Sequence, residues 1–274
     1  MYVNGLLFLT SISHELYNRM AQYLPSKKKK NYIKYMEEII IVYKFGEFSI
    51  KSIHCNQEFR HILQDFANEI KIRLICALSQ AHVSCAEQNI RAIKERVRSL
   101  LHNLPYRAIL KIKIKYLVMQ TTATLNCFPA RYGLSQYYSP RMILQQKLIN
   151  FDMHCKHYTG EYVLAHDDKY IKNNMESRPL DCIYLQPSSI SKNIHKFYHI
   201  STKKVITRQF CTSIPTLAYI INIIEQQAQD DNMPIGITFK PIDKSYTNLR
   251  LAGVESDMNK ELQMESDLNK ELQS

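Results

Sequence analysis

Apolar positions recur along this chain at two periods, and the switches between them outline its elements. Val3 to Ser11 is apolar but interrupted by Asn4-Gly5, the pair that favours a two-residue hairpin turn. After Pro25-Ser26 comes the run Lys27, Lys28, Lys29, Lys30. Tyr32, Met36, Ile39, Ile40 and Tyr43 then fall on one face of a helix that stops before Gly46. Phe48 to Ile53 alternates as a strand does and delivers the segment His54 to Phe59. A short helix is predicted over Ile62 to Ile70 and another strand over Ile72 to Leu78. Cys85 to Leu104 is the clearest helix: Ile90, Ile93, Val97, Leu100, Leu101 and Leu104 line one face, and Glu87, Arg91, Lys94 and Arg98 line another. The plain reading of Glu87 is an i,i+4 pair with Arg91 on a solvent face, worth roughly 0.2–0.5 kcal/mol.

Leu110 to Tyr116 alternates lysine and isoleucine as a strand would, whereas Ile109, Ile112, Leu117 and the run to Leu125 permit a helix; periodicity leaves both open. Arg131, Gly133 and Pro140 mark a linker over Ala130 to Pro140. Beyond it, Glu161–His166, Asp181–Gln186, Lys196–Ile200 and Lys203–Phe210 read as short strands whose spacing predicts a small barrel. Ser213-Ile214-Pro215 is the predicted cap of a helix with Leu217, Ile220, Ile221 and Ile224 as its apolar stripe. The chain ends in a ten-residue repeat, Glu-Ser-Asp-x-Asn-Lys-Glu-Leu-Gln-x, at 255–264 and 265–274. Two copies are too few for a solenoid, so the repeat reads as an acidic extension, disordered or transiently helical.

Composition narrows the partners. The 274 residues suffice for one or two domains. The 36 lysines and arginines against 25 acids give +11; the last twenty residues hold six acids and two lysines, so residues 1–254 carry +15. That excess suits a polyanion, most simply nucleic acid, and equally a solvated basic surface. No apolar run approaches the ~20 residues that cross a bilayer, and Gly5 to Leu9 is short and lacks the basic flank of a signal peptide. The expectation is a cytoplasmic or nuclear protein with no membrane partner. Cys55, Cys76, Cys85, Cys127, Cys155, Cys182 and Cys211 form no C-x-x-C pair and are odd in number, which argues against a disulfide framework and a cysteine-rich zinc site. Neither a glycine-rich phosphate loop nor a G-x-S-x-G turn is present. His154/His157 and His195/His199 have ligand-like spacings, but no cysteine or acid completes a set, and surface or partly buried histidines are expected.

Two stretches carry a resemblance. Asn56-Gln57-Glu58-Phe59, and His82-Val83 through Glu87, Asn89-Ile90-Arg91 and Lys94-Glu95-Arg96, together resemble the second and third metal-binding positions of a copia-type retrotransposon integrase. Met1 to Leu9 resembles that family's first hairpin, and Tyr23-Leu24-Pro25-Ser26, Leu104-Pro105-Tyr106, Tyr138-Ser139-Pro140, Gly160-Glu161-Tyr162-Val163 and Val205-Ile206-Thr207-Arg208 follow in the family's order, so that the resemblance spans about residues 1–254. It implies an α/β fold: a ribonuclease-H-like core of mixed sheet and helices over 1–128, in which 110–125 is helical. A linker and SH3-like β module would follow over 129–212, a helix and extension over 213–254, and the acidic tail over 255–274.

The resemblance also implies chemistry that this chain has lost in part. Integrases of this fold join DNA by strand transfer at two Mg²⁺ or Mn²⁺ ions held by three carboxylates. Glu87 matches the last of these, whereas Asn56 stands where the family has its second Asp. The family's first Asp lies just before the stretch that here starts at Met1, and no Asp precedes Asp65. The family's zinc-binding His/Cys module is also missing. Glu58, two residues along from Asn56, is a poor substitute because it sits some 6–7 Å further along a strand. The expectation is therefore an inactive integrase remnant that binds no metal and keeps sequence-independent affinity for nucleic acid, DNA above all, through Arg91, Lys94, Arg98 and Lys27–Lys30. The alternatives are a domesticated binding protein that engages nucleic acid, a second copy of itself or an integrase partner, and a fragment of a longer active polyprotein with a mis-set start.

Overall fold

The computed structural model describes residues 1–77, 84–146, 148, 151, 156–166, 179–188 and 194–240. The N-terminal half is a layered α/β arrangement. Strands β1 (Tyr2–Val3), β2 (Leu6–Ile12) and β3 (Arg19–Leu24) form an antiparallel sheet in the order β1-β2-β3, with Tyr2 opposite Leu7 and Phe8 opposite Tyr23. Asn4 (φ 44°) and Gly5 (φ 74°) make the predicted turn, in the left-handed region that these two residues tolerate best. Helix α1 (Lys29–Phe45) leads to β4 (Ser52–Cys55), a 3₁₀ turn over Gln57–Phe59, α2 (Arg60–Glu69) and β5 (Arg73–Cys76). β4 and β5 are parallel, Ile53 opposite Leu74, and lie in a sheet separate from the hairpin. The predicted strand over Phe48–Ile53 is displaced: Glu47 turns at φ 63°, and Phe48 and Ile50 pack as loop residues on the core beneath α1 and α2.

Alternation along the hairpin sheet divides the apolar side chains between two cores. Val3, Leu6 and Phe8 face one way, towards α3 (Ser84–His102) and α4 (Lys111–Leu125). Leu9 and Met20 face the other, where Tyr35, Met36, Ile39 and Tyr43 of α1 meet Leu63 and Phe66 of α2. The lysine–isoleucine alternation of 111–115 thus resolves as helix. α4 lies against β3, α3 and the second half of the molecule and is buried on several sides, with Ile114, Leu117 and Val118 fully buried beside the polar Lys113, Thr121 and Thr122.

α5 (Pro140–Gln145) begins where the predicted linker ends: Pro140 opens a helix, and the Ser139 hydroxyl caps it by accepting the Met142 amide at 3.3 Å. The remaining strands, β6 (Tyr162–His166), β7 (Pro179–Pro187), β8 (His195–His199), β9 (Lys204–Arg208) and β10 (Cys211–Ser213), form one antiparallel sheet in the order β10-β6-β7-β8-β9. Among the described residues β9 and β10 do not pair, so the sheet keeps two edges. Helix α6 (Ala218–Asp230) follows. Ser213 belongs to β10 and does not cap this helix; Leu217 occupies the N-cap position without a side-chain hydrogen bond, because Ile214 to Thr216 are needed to carry the chain off the sheet. Tyr162, Ile183 and Tyr198, aligned across β6, β7 and β8, pack into the same apolar cluster as α3, α4 and α6. None of the described helices is long and apolar enough to cross a membrane.

Candidate functional site

The parallel pair delivers the first candidate residues. Asn56 leaves β4 in an extended conformation (φ −73°, ψ 157°), and its carbonyl accepts the Phe59 amide at 3.0 Å, which opens the 3₁₀ turn. Its side chain does not cap that turn, and Asn56, Gln57 and Glu58 are all exposed. Glu87 sits in the first turn of α3, where the helix dipole favours a carboxylate. Ile93, Val97 and Leu101 are buried and fix α3 on the hairpin sheet, with Asn89 Nδ2 donating to the Ser11 carbonyl at 3.3 Å. This leaves Glu87, Ile90, Arg91, Lys94, Glu95 and Arg98 lining a shallow open groove along the outer face of the helix. All the lining is from α3, so Asn56 is not brought into the groove beside Glu87. Residues 78–83 between them, including His82-Val83, lie outside the described residues.

Glu58 acts by its charge on the start of the hairpin. The Met1 ammonium donates to the Phe8 carbonyl at 2.9 Å; its pKa is lowered first by burial and then by the charge of Lys94, while Glu58 opposes and Lys27 adds to the lowering. Burial raises the Tyr32 hydroxyl, which also feels Lys27, Glu58 and Tyr2. The start of β1, the turn after β4, the lysine run and the middle of α3 therefore share one neighbourhood, although they are far apart in sequence.

The cations are partly engaged. Arg91 Nε pairs with Glu95 at 3.0 Å on the surface, one turn further along α3. Lys94 and Arg98 both stand over the ring of Phe239, at 5.2 and 5.3 Å from its centroid. Lys27, Lys28, Lys29 and Lys30 are exposed at the N-terminus of α1, which has no acid in its first turn, so they add to the positive end of the helix dipole. Lys29 makes a short ion pair, 2.7 Å to Asp65, whose carboxyl it holds below the usual range by hydrogen bond and charge.

Phe239 was not visible as a site residue from the sequence. It belongs to a segment that returns from α6 across the hairpin. Ile235 bridges Ala108, the Gly236 amide donates to the Arg107 carbonyl at 2.8 Å, and buried Asn4 holds the segment with both ends of its side chain: Nδ2 to the Gly236 carbonyl (3.0 Å) and Oδ1 from the Thr238 amide (2.7 Å). The Asn-Gly signal foretold the turn; nothing local foretold a partner more than 230 residues away.

The histidines separate differently from their sequence pairs. His157 and His195 are buried, with rings 6.0 Å apart; His157 Nδ1 meets Glu161 at 3.1 Å and Ser213 at 3.0 Å, and His195 meets the Tyr184 hydroxyl at 3.2 Å. His199 is hydrogen-bonded to Thr202, and His154 lies outside the described residues. Among the described residues no group of three His, Cys, Asp or Glu is arranged to hold a metal ion. The groove's two carboxylates, Glu87 and an Arg91-paired Glu95, stand among Arg91, Lys94 and Arg98 and do not fit a pair of divalent cations, which need acidic oxygen ligands to offset their charge.

No family model and no curated protein matches this chain. Among solved structures, the catalytic core domain of BIV integrase is similar to it, with 12% identity and a TM-score of 0.40, over 53% of this chain and 90% of that one. The functional reading therefore rests on the residues of this chain.

Proposed function

We propose that residues 1–128 are a copia-type, ribonuclease-H-like integrase core that has lost strand-transfer chemistry and keeps a nucleic-acid-binding face, with an SH3-like module following it over 129–212. The observation that carries the reading is convergence. Glu58, Lys27 and Lys94, which lie in or beside stretches that resemble the family, all bear by their charge on the buried Met1 ammonium, and this supports the reading. At such a site a neutral amide in place of a carboxylate still offers an oxygen but supplies no charge, and Mg²⁺ or Mn²⁺ affinity falls accordingly. What persists is a basic surface with no base-reading element, suited to the phosphate backbone.

Two measurements test this. Fluorescence anisotropy of the full chain with duplex and single-stranded oligonucleotides is expected to show sequence-independent binding that weakens steeply between about 50 and 200 mM salt; a flat salt response, or no binding at the lower salt, removes the nucleic-acid claim. Strand-transfer gels beside calorimetric Mg²⁺ and Mn²⁺ titrations are expected to show no joining by the unmodified chain. Asn56→Asp alone is expected to stay inactive, since residue 56 does not line the groove that holds Glu87. Metal-dependent DNA joining by the unmodified chain overturns the loss of chemistry.

A further inference from the structure

We propose that Cys55 and Cys76 form a reversible dithiol–disulfide site, open to exchange with small disulfides of the glutathione class. The inference does not depend on the integrase reading. Cys55 ends β4 and Cys76 ends β5, and the two are registered partners in the parallel pair, so their side chains share one face of the sheet. Adjacent strands run about 4.8 Å apart, inside the roughly 4.4–6.8 Å Cα separation that a disulfide spans. The sulfurs are already 3.7 Å apart, and side-chain rotation alone closes most of what remains. Both residues are half-buried, within reach of a small reagent. Other thiols have other partners: Cys127 donates to the Ala123 carbonyl at 3.5 Å, and Cys211 meets His157 at 3.4 Å.

The exchange runs in two steps. One protein thiolate attacks a sulfur of the small disulfide, whose other half leaves as a thiolate and takes a proton, giving a mixed disulfide. The second protein thiolate attacks the protein sulfur of that bond, expels the second small thiol, and closes the Cys55–Cys76 link. Two protein thiols are oxidised by two electrons, and one small disulfide is reduced to two thiols. Burial, and then the neighbouring Cys76, push the Cys55 thiol up to about 12. Attack by Cys55 is therefore slow at neutral pH and faster as pH rises. Its position gives it a consequence: it ties together the strand ends from which the Asn56–Phe59 turn and the connection to α3 depart.

The test incubates the full chain with graded ratios of oxidised to reduced glutathione, quenches in acid, blocks free thiols with N-ethylmaleimide, and maps non-reduced peptides by mass spectrometry. The expected product is a Cys55–Cys76 cross-linked peptide that disappears with dithiothreitol, accumulates faster at higher pH, and raises the Tm by several degrees. Cys55→Ser and Cys76→Ser are each expected to stop at a stable glutathione adduct on the remaining cysteine, with unchanged circular dichroism showing that they fold. Stable glutathione adducts on both cysteines of the unmodified chain without a cross-link, cross-links shared indiscriminately with the other cysteines, or no reaction at either position would each overturn the proposal.

Discussion

Lys113 is the residue most at odds with its surroundings. It is fully buried on α4, its Nζ has no hydrogen-bond partner among the described residues, and it stands over the face of the Tyr106 ring, 3.7 Å from nitrogen to centroid. The pocket is closed by Gly160, at φ +100°, where an added Cβ would collide with Lys113 Cε and lie 2.7 Å from Nζ. Burial lowers the lysine's pKa well below 10.5. The consequence for stability has a definite sign. Between the folded and unfolded pKa values the unfolded chain holds the proton and the folded chain does not, so stability rises with pH across that window and levels off near 10.5, the ordinary lysine value. Lys113→Met, which keeps the stem and removes the amine, is expected to gain roughly 1–3 kcal/mol near neutral pH and to flatten the rise. Urea unfolding of both proteins at several pH values checks this; a loss of stability, or an unchanged pH slope, would mean that the amine has found a partner. The isoleucines around Lys113 declared an apolar element from sequence. That one of the alternating lysines would be buried was not legible, because it depends on what the β6–β10 half places over α4.

Elements were legible where one face is buried against one neighbour. The stripe on α3 and the helix over 29–45 follow from spacing because water lies on their other side. β4 was displaced and α5 not foreseen for a common reason: short elements are set by tertiary packing and capping more than by period, as Phe48 and Ile50 serving a core from a loop, and Ser139-Pro140 starting a helix, both show. The segment over 233–240 is the extreme case, an irregular chain held by Asn4 and by two cations on one ring. Its placement makes a prediction about the basic face. Lys94 and Arg98 each gain about 0.5–1 kcal/mol from Phe239 at an exposed site. Phe239→Ala therefore frees them, and duplex affinity at low salt is expected to rise about two- to fivefold. Anisotropy titration measures it. A fall in affinity for single strands alone would instead show the ring itself stacking on bases, and no change would show that the two cations do not meet the nucleic acid.

At the scale of the whole molecule, charge and topology answer different questions. The sign of the net charge was plain from composition, and so was its division into a basic body and an acidic end. Where the basic residues gather was not, because Lys27, Lys94 and the start of β1 meet only once α1, the hairpin and α3 have packed. The candidate site was accordingly half legible: its residue types could be named from sequence, while the groove turned out to be lined by one helix, with Asn56 outside it. The tail makes the last prediction, and it rests on charge alone. Removing residues 255–274 takes away six acids and two lysines and raises the net charge from +11 to +15. A negative segment tethered to a basic body competes with phosphates for the same cations, and that competition is long-ranged only while the screening length is long. At about 10–30 Å, the range between 0.1 and 0.01 M salt, the truncated chain is expected to bind duplex several-fold more tightly than the full one. As salt rises and the screening length falls towards 8 Å and below, the two curves are expected to converge. Paired salt titrations of the full chain and of residues 1–254 separate the cases: a gain that persists undiminished in high salt would point to a specific contact made by the tail, and no gain at low salt would show that the tail does not reach the basic face.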